Sequence, residues 1–363
     1  MAVDVSFVSS GHDVADARLH RLVRACLRHG LSVEVLGLGD PASAPEGAAV
    51  IAVPRTTMRR RAALALRLAR AASGRVLVAL DPDSLLACWA VARLSRGVPR
   101  RSVVADVHEN YADLLRDRAW ARGLLGRAAH GVTSGAAELA RHSDLTVVAD
   151  DHVEPVQARD RLVVRNEPDL GLLGWPAAAD ADPRAVYVGD VRKSRGLPQM
   201  LETIARLPGW RLDIVGQVAP ADQTWLDRRL TDPRLGGRVR LHGRQPPDRS
   251  WDLARGAWVG FALLHDTPAF RDAVPSKLYE YLALQIVPVA SDLPRQRELL
   301  ERAGAGVVCG SAQEVEDTLR SLEDDPSVLA RHRAAAASWR AARESEPSAY
   351  DLVAERIARL AGR

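Results

Sequence analysis

Lysine is nearly missing from this chain. Of its 50 basic residues all but two are arginine, the exceptions being Lys193 and Lys277. Aromatic residues make up 4%. Their scarcity excludes the interleaving of aromatic and basic side chains on which RNA and single strands stack. The three cysteines, Cys26, Cys88 and Cys309, are scattered and odd in number. They exclude a disulfide framework and a metal-ligand spacing, and they read as buried thiols of a reducing compartment. No run of about eighteen apolar residues exists, which excludes a membrane-spanning helix. Asp4 interrupts any signal-peptide pattern at the N-terminus. The expected location is therefore cytoplasmic.

The 363 residues are enough for two domains of ordinary size. At 47% hydrophobic and 26% charged, the composition is that of a globular chain. Its net charge of +4 suits a phosphate-bearing substrate or an acidic membrane surface and does not demand nucleic acid. Richness in Arg and Ala suggests a high-GC bacterial genome.

Short Val-rich runs alternate with stretches of helical period. Val3 to Val8 predicts a strand, and Ser9-Ser10-Gly11 a small-residue loop. Leu19, Leu22, Val23, Cys26 and Leu27 predict a helix that Gly30 ends. Strands follow at 32–38 and 75–80, with no G-x-G-x-x-G between elements. Residues 58–72 carry Arg59, Arg60, Arg61, Arg67 and Arg70. Two readings stand for them: an amphipathic helix on anionic lipid, or a solvated helix of an Arg-rich chain. Asp81-Pro82-Asp83-Ser84 predicts the cap of a helix over 84–95. The strand 103–107 delivers Asp106, His108 and Glu109 to its carboxyl end, where open α/β sheets gather ligands. A histidine buried at the sheet edge and satisfied by Asp106 is the competing reading. A long helix is predicted over 112–142, with Trp120 in its first half, then a strand over 145–148.

Residues 170–184, rich in Ala, Pro, Gly and Asp and without period, predict a linker between domains 1–169 and 185–347. The alternation then restarts with strands at 185–188, 211–215, 239–243, 258–264, 286–290 and 307–309. Helices are predicted near 312–322 and 326–342, and a final amphipathic one over 348–361.

The stretch Asp272 to Gln285 organises the rest. Pro275 and Ser276 predict a helix start, and Leu278, Leu282 and Leu284 an apolar side. The open N-terminus suits an anion, Lys277 adds a positive charge, and Glu280 offers a carboxylate to sugar hydroxyls. A diphosphate with a ribose attached fits this pattern.

Asp272 and Glu280, with seven residues between them and followed by Tyr281-Leu282-Ala283, resemble the nucleotide-sugar motif of GT-B glycosyltransferases, in particular the bacterial retaining family-four (glycogen-synthase-like) group. Asp106-x-His108-Glu109 is similar to that group's histidine segment. The run 162–169 resembles the ending of its first domain, and Gly189 to Gly196 its phosphate loop. Each departs somewhat. Asp272 stands for Glu, Glu167-Pro168 for Gly-Val, Asp190 for Arg, and Arg195 for Lys. The resemblance implies an α/β GT-B architecture, two Rossmann-like β/α/β domains facing across a cleft, with helix 348–363 packing back on the first.

The resemblance also implies function: a retaining transferase that moves a sugar from a nucleotide-diphosphate donor to a hydroxyl acceptor (a glycan, a lipid-linked sugar or a small metabolite), with no metal and no further cofactor. His108, Asp272 and Arg195 take catalytic roles. Lys193, Arg195, Ser276, Lys277 and Leu278 surround the diphosphate, and Glu280 holds the ribose. Gly11 and Gly189 lie at the donor, and Gly243 and Arg244 at the base. His12, Asp106 and Glu109 are acceptor-side candidates. An epimerase of nucleotide-diphosphate sugars with this architecture, or a non-catalytic nucleotide-sugar binder, remains open. So does peripheral contact with the anionic inner face of a membrane.

Overall fold

The computed structural model describes residues 3–57, 60–94, 100–108 and 124–363. It divides into two compact units, Met1–Asn166 with Pro347–Arg363, and Glu167–Glu346. Glu109, Trp120, Arg59 and the first part of the helix expected over 112–142 lie outside the described residues.

The first unit holds seven strands: β1 Val5–Asp13, β2 Val33–Leu38, β3 Ala49–Val53, β4 Val76–Ala79, β5 Ser102–Val107, β6 Leu145–Val148 and β7 Arg161–Val163. All pair in parallel in the order β3-β2-β1-β4-β5-β6-β7. A parallel sheet covered on both faces needs strands that are apolar throughout, which explains the runs of Val. Helices α1 Ala17–Arg28, α2 Arg61–Ala71, α3 Pro82–Leu94 and α4 Leu124–Arg141 connect them. Asp16 caps α1 by accepting from the amides of Arg18 and Leu19.

The second unit repeats the scheme with β8 Arg184–Val188, β9 Arg211–Val215, β10 Val239–Gly243, β11 Val259–Ala262, β12 Val287–Ser291 and β13 Val307–Cys309. Their order is β10-β9-β8-β11-β12-β13, again parallel. The helices are α5 Leu170–Leu173, α6 Leu197–Arg206, α7 Pro220–Leu230, α8 Pro247–Ala254, α9 Pro268–Arg271, α10 Ser276–Ala283, α11 Pro294–Ala303, α12 Ala312–Asp324 and α13 Pro326–Glu344. The last helix, α14 Ala349–Leu360, returns to the first unit. It buries Tyr350, Val353, Ala354 and Ile357 in a core shared with α1, and Arg28 pairs with Asp351 at 2.8 Å.

The structure differs from the sequence reading in three places. The strand β3, an apolar run absent from the sequence reading, lies at the sheet edge and is only partly buried. Helices α7, α8 and α11, absent from the sequence reading, each begin at a proline, which suits a helix's first turn because its missing N–H costs nothing there. Residues 170–184 are tied to the second unit. Leu173 is buried in its core, Gly174 and Ala177 offer carbonyls to Arg340 and Arg333, and Asp180 accepts from Trp258. Among the described residues no helix is long and apolar enough to cross a membrane.

Candidate active site

Strand order reverses between β8 and β11, and the crevice beyond their carboxyl ends is where such sheets bind ligands. There α10 starts at Ser276 after Pro275, with no side chain among the described residues capping it. The first amides of a helix have no intrahelical acceptor, so this end presents donors and the positive end of a dipole. Leu278, Tyr281 and Leu282 pack α10 into the core. Leu278 is thereby corrected as a ligand: its side chain is fully buried and its amide donates to the Pro275 carbonyl. Tyr281 fixes the helix to the sheet, its hydroxyl accepting from the Val188 amide at 3.2 Å and donating to the Phe261 carbonyl at 3.3 Å.

Two charged residues of α10 are buried. The Lys277 ammonium lies 3.6 Å from the centre of the Tyr187 ring. A Cβ on Gly189, whose φ is +132°, would sit 3.1 Å from it, so a glycine keeps that space open. Burial, then the positive charge of Arg195, pulls Lys277 down to about 7, against the opposing pull of Glu280 and Asp190. Glu280 accepts a long hydrogen bond from the Ser276 hydroxyl at 3.4 Å. Arg195 ends a 3-10 turn, and its guanidinium stands 5.8 Å from the Phe270 ring centre. Its Nε is buried with no hydrogen-bond partner among the described residues. Burial pushes the Tyr187 hydroxyl up to about 12, and it donates to the Asp190 carbonyl.

Other expected donor residues stand apart. Lys193 turns to α7, its amide donating to Asp222 and its ammonium 3.8 Å from the same carboxylate and 4.8 Å from the Trp225 ring. Asp190 pairs with Arg192 at 3.1 Å. Asp272 is exposed at the end of α9. Gly243, at φ +65°, ends β10, with Arg244 exposed beside it. A cavity of about 490 Å³ opens at the amino ends of β8 and β9, the opposite edge of the sheet. Charges lining it pair with one another, Arg184 with Asp180 and Asp213, and Arg255 with Asp252.

The first unit gathers a second cluster at the carboxyl ends of β1, β4 and β5. Asp81 is buried and accepts from the Ser9 and Ser10 hydroxyls and from the amides of Ser10, Gly11 and Ser84. It thus caps α3 and ties down the loop at Gly11. A Cβ on Gly11 would stand 2.4 Å from the Arg61 guanidinium, which reaches Asp83 at 3.1 Å and Asp81 at 3.5 Å. Gly11 therefore makes room for an arginine, and Arg61 leaves the lipid-facing set proposed for the Arg-rich helix.

His108 bonds through Nε2 to Asp106 at 2.7 Å, and Asp106 receives Arg18 Nε at 3.1 Å and Nη2 at 2.7 Å. Both oxygens of this buried carboxylate are engaged, which corrects its reading as an acceptor-side group. Burial opposes the charge, yet Arg18 and then His108 hold Asp106 well below the usual carboxylate range. Breaking such a buried pair from one side costs about 3–5 kcal/mol. His12 meets His108 edge-to-face, ring centres 4.8 Å apart. Burial lowers His12, but Asp16, Asp81 and Asp106 outweigh it and raise the group above its ordinary value. Sequence reasoning missed Arg18, Arg61 and Tyr187, and read Asp81 only as a cap. The signal for Arg18 was a charge on the inward side of α1.

Among the described residues no three His, Cys, Asp or Glu side chains gather as a metal site.

Two parallel doubly wound sheets, with an open helix terminus at the second switch point, define an α/β architecture of two Rossmann-like units. Residues 176–339 match the family described as glycosyl transferases group 1, and the architecture of the whole chain is the GT-B fold. No curated protein matches the sequence. Solved structures match nearly end to end at low identity, which carries the fold alone. Anabaena HepE in complex with UDP-glucose is 15% identical, covered 98% on both chains, at a TM-score of 0.69. WaaG, a glycosyltransferase involved in lipopolysaccharide biosynthesis, is 14% identical over 99% of this chain and 100% of its own, at 0.65. Sucrose-phosphate synthase from Thermosynechococcus elongatus is 14% identical over 99% and 94%, also at 0.65.

Proposed function

We propose that the chain transfers a sugar from a nucleotide-diphosphate donor to a hydroxyl acceptor, with retention of configuration and without a metal ion. One observation carries this reading: the uncapped N-terminus of α10 stands with Lys277 buried in its first turn and the Arg195 charge acting on that lysine. When the bond from the sugar's anomeric carbon to the diphosphate oxygen breaks, negative charge collects on the diphosphate. Arg195, Lys277 and the α10 amides stabilise it where a metal would otherwise be needed. Glu280 accepts from the ribose hydroxyls, and Gly243 and Arg244 border the base. Asp272 and His108 hold the donor sugar, and the His12 loop serves the acceptor. The acceptor oxygen bonds the anomeric carbon from the face the diphosphate leaves, and its proton passes to a diphosphate oxygen.

The test is thermal stabilisation by UDP, GDP, ADP, dTDP and their sugars, without metal and then with magnesium. A solved relative holds UDP-glucose, so the uridine donors come first. Selective stabilisation by one nucleotide without magnesium, lost in Glu280→Ala, is the expected result. Absence of any shift sinks the proposal, and a shift that requires magnesium removes its metal-free part. Product anomeric configuration by proton NMR checks retention.

A further inference from the structure

We infer that Arg18 and Asp106 are positioning residues that hold His108 as its Nε2–H tautomer, leaving Nδ1 as an acceptor for a donor-sugar hydroxyl. The inference rests on the proposed place of His108 at the donor sugar.

The argument is one of hydrogen-bond inventory. Arg18 is always charged and can only donate. It grips Asp106 with Nε and Nη2, and Nη1 donates to the Val164 carbonyl at 2.6 Å and to Asn166 at 3.3 Å. Arg18 is thus fixed from α1, from β5 and from the end of β7 together. Asp106, ionised against Arg18, can only accept. The ring atom 2.7 Å from it, His108 Nε2, must therefore carry a proton. In neutral imidazole the other nitrogen is then a lone pair, and Nδ1 has no protein partner among the described residues. His12 packs edge-to-face on the ring and restrains its rotation from the other side. Asp16 stands 3.9 Å from His12 Nδ1, so the second histidine is itself held.

A buried ion pair contributes little net stability relative to apolar residues of the same volume. Placing one under a histidine whose side chain keeps 13% of its surface exposed is better explained by orientation. The tautomer of a histidine is set by the bond its other nitrogen makes.

Long-range proton–nitrogen NMR on the full-length wild-type protein, with His108→Gln to assign the signal, reads the tautomer directly. Read at alkaline pH, where an imidazole carries one proton, the Nε2–H form of His108 is expected; the Nδ1–H form overturns the inference, whatever any variant does. Asp106→Asn can turn its amide NH2 toward the ring and reverse the tautomer. Turnover should then fall by about 10²–10⁴-fold, with stabilisation by the nucleotide found in the panel above unchanged. A reversed tautomer with turnover within about threefold of wild type also overturns it. Failure of every nucleotide to stabilise the protein counts against the transferase reading instead, and the wild-type tautomer does not depend on it.

Discussion

The Lys277 ammonium rests 3.6 Å above the Tyr187 ring, one of only two lysines in the chain and buried where a solvated charge would be cheaper. A cation over an aromatic face is favourable but does not replace a hydration shell. Lys277 is therefore poised between charged and neutral, at about 7 instead of its ordinary 10.5.

That position predicts proton-linked donor binding. Between the two values the unfolded chain holds the proton and the folded one does not. Stability therefore rises with pH across this window, and the cost of charging Lys277 is complete below about 7. A bound diphosphate restores the charge, so binding takes up a proton above that point. Nucleotide dissociation constants should rise by up to about tenfold per pH unit above 7, as read by calorimetry. Lys277→Met should melt higher than wild type near neutral pH without ligand and lose nucleotide stabilisation. A dissociation constant that stays flat as pH rises above 7 would exclude the linkage.

Much of the fold was legible in the sequence. The apolar runs gave away parallel strands, and Pro275 with Ser276 located the start of the helix whose end is open. What stayed hidden has one cause, contact across long sequence separation. Arg18 lies 88 residues from Asp106 and looks like the polar face of α1, yet it is 4% exposed. Lys193 and Lys277 look alike as loop lysines, but a carboxylate on α7 claims the first. Arg61 resembles its arginine neighbours until the missing side chain of Gly11 admits it.

Gly196 tests how the loop carrying Arg195 is built. It caps α6 at φ +85°, and a Cβ there would lie 2.3 Å from the Leu263 Cβ and 2.5 Å from its carbonyl oxygen. Both the conformation and the space require glycine. Gly196→Ala must shift the β11 end or the turn. A loss of about 2–4 kcal/mol in urea unfolding is expected, with weakened nucleotide binding because Arg195 moves with the turn. Wild-type stability in this variant would show that the close approach is not maintained in solution.

The histidine loop of the first unit makes a prediction of opposite sign. His12 is raised by Asp16, Asp81 and Asp106 against the effect of burial, so the folded state holds its proton more tightly than the unfolded chain. Its stabilising contribution is complete below the ordinary value of 6.5 and is lost as pH rises through the folded value. Asp16, held at about 2 by the His12 hydrogen bond and the Leu19 amide against burial, contributes at all pH above 3.8 and fails only in acid. Groups of both signs face His12, with His108 packed on its ring, so removing it should matter only while it is charged. Urea unfolding of wild type and His12→Gln should therefore differ most below pH 6.5 and converge on the alkaline side. A gap that stayed constant with pH would mean that His12 acts through packing on His108 and not through its charge.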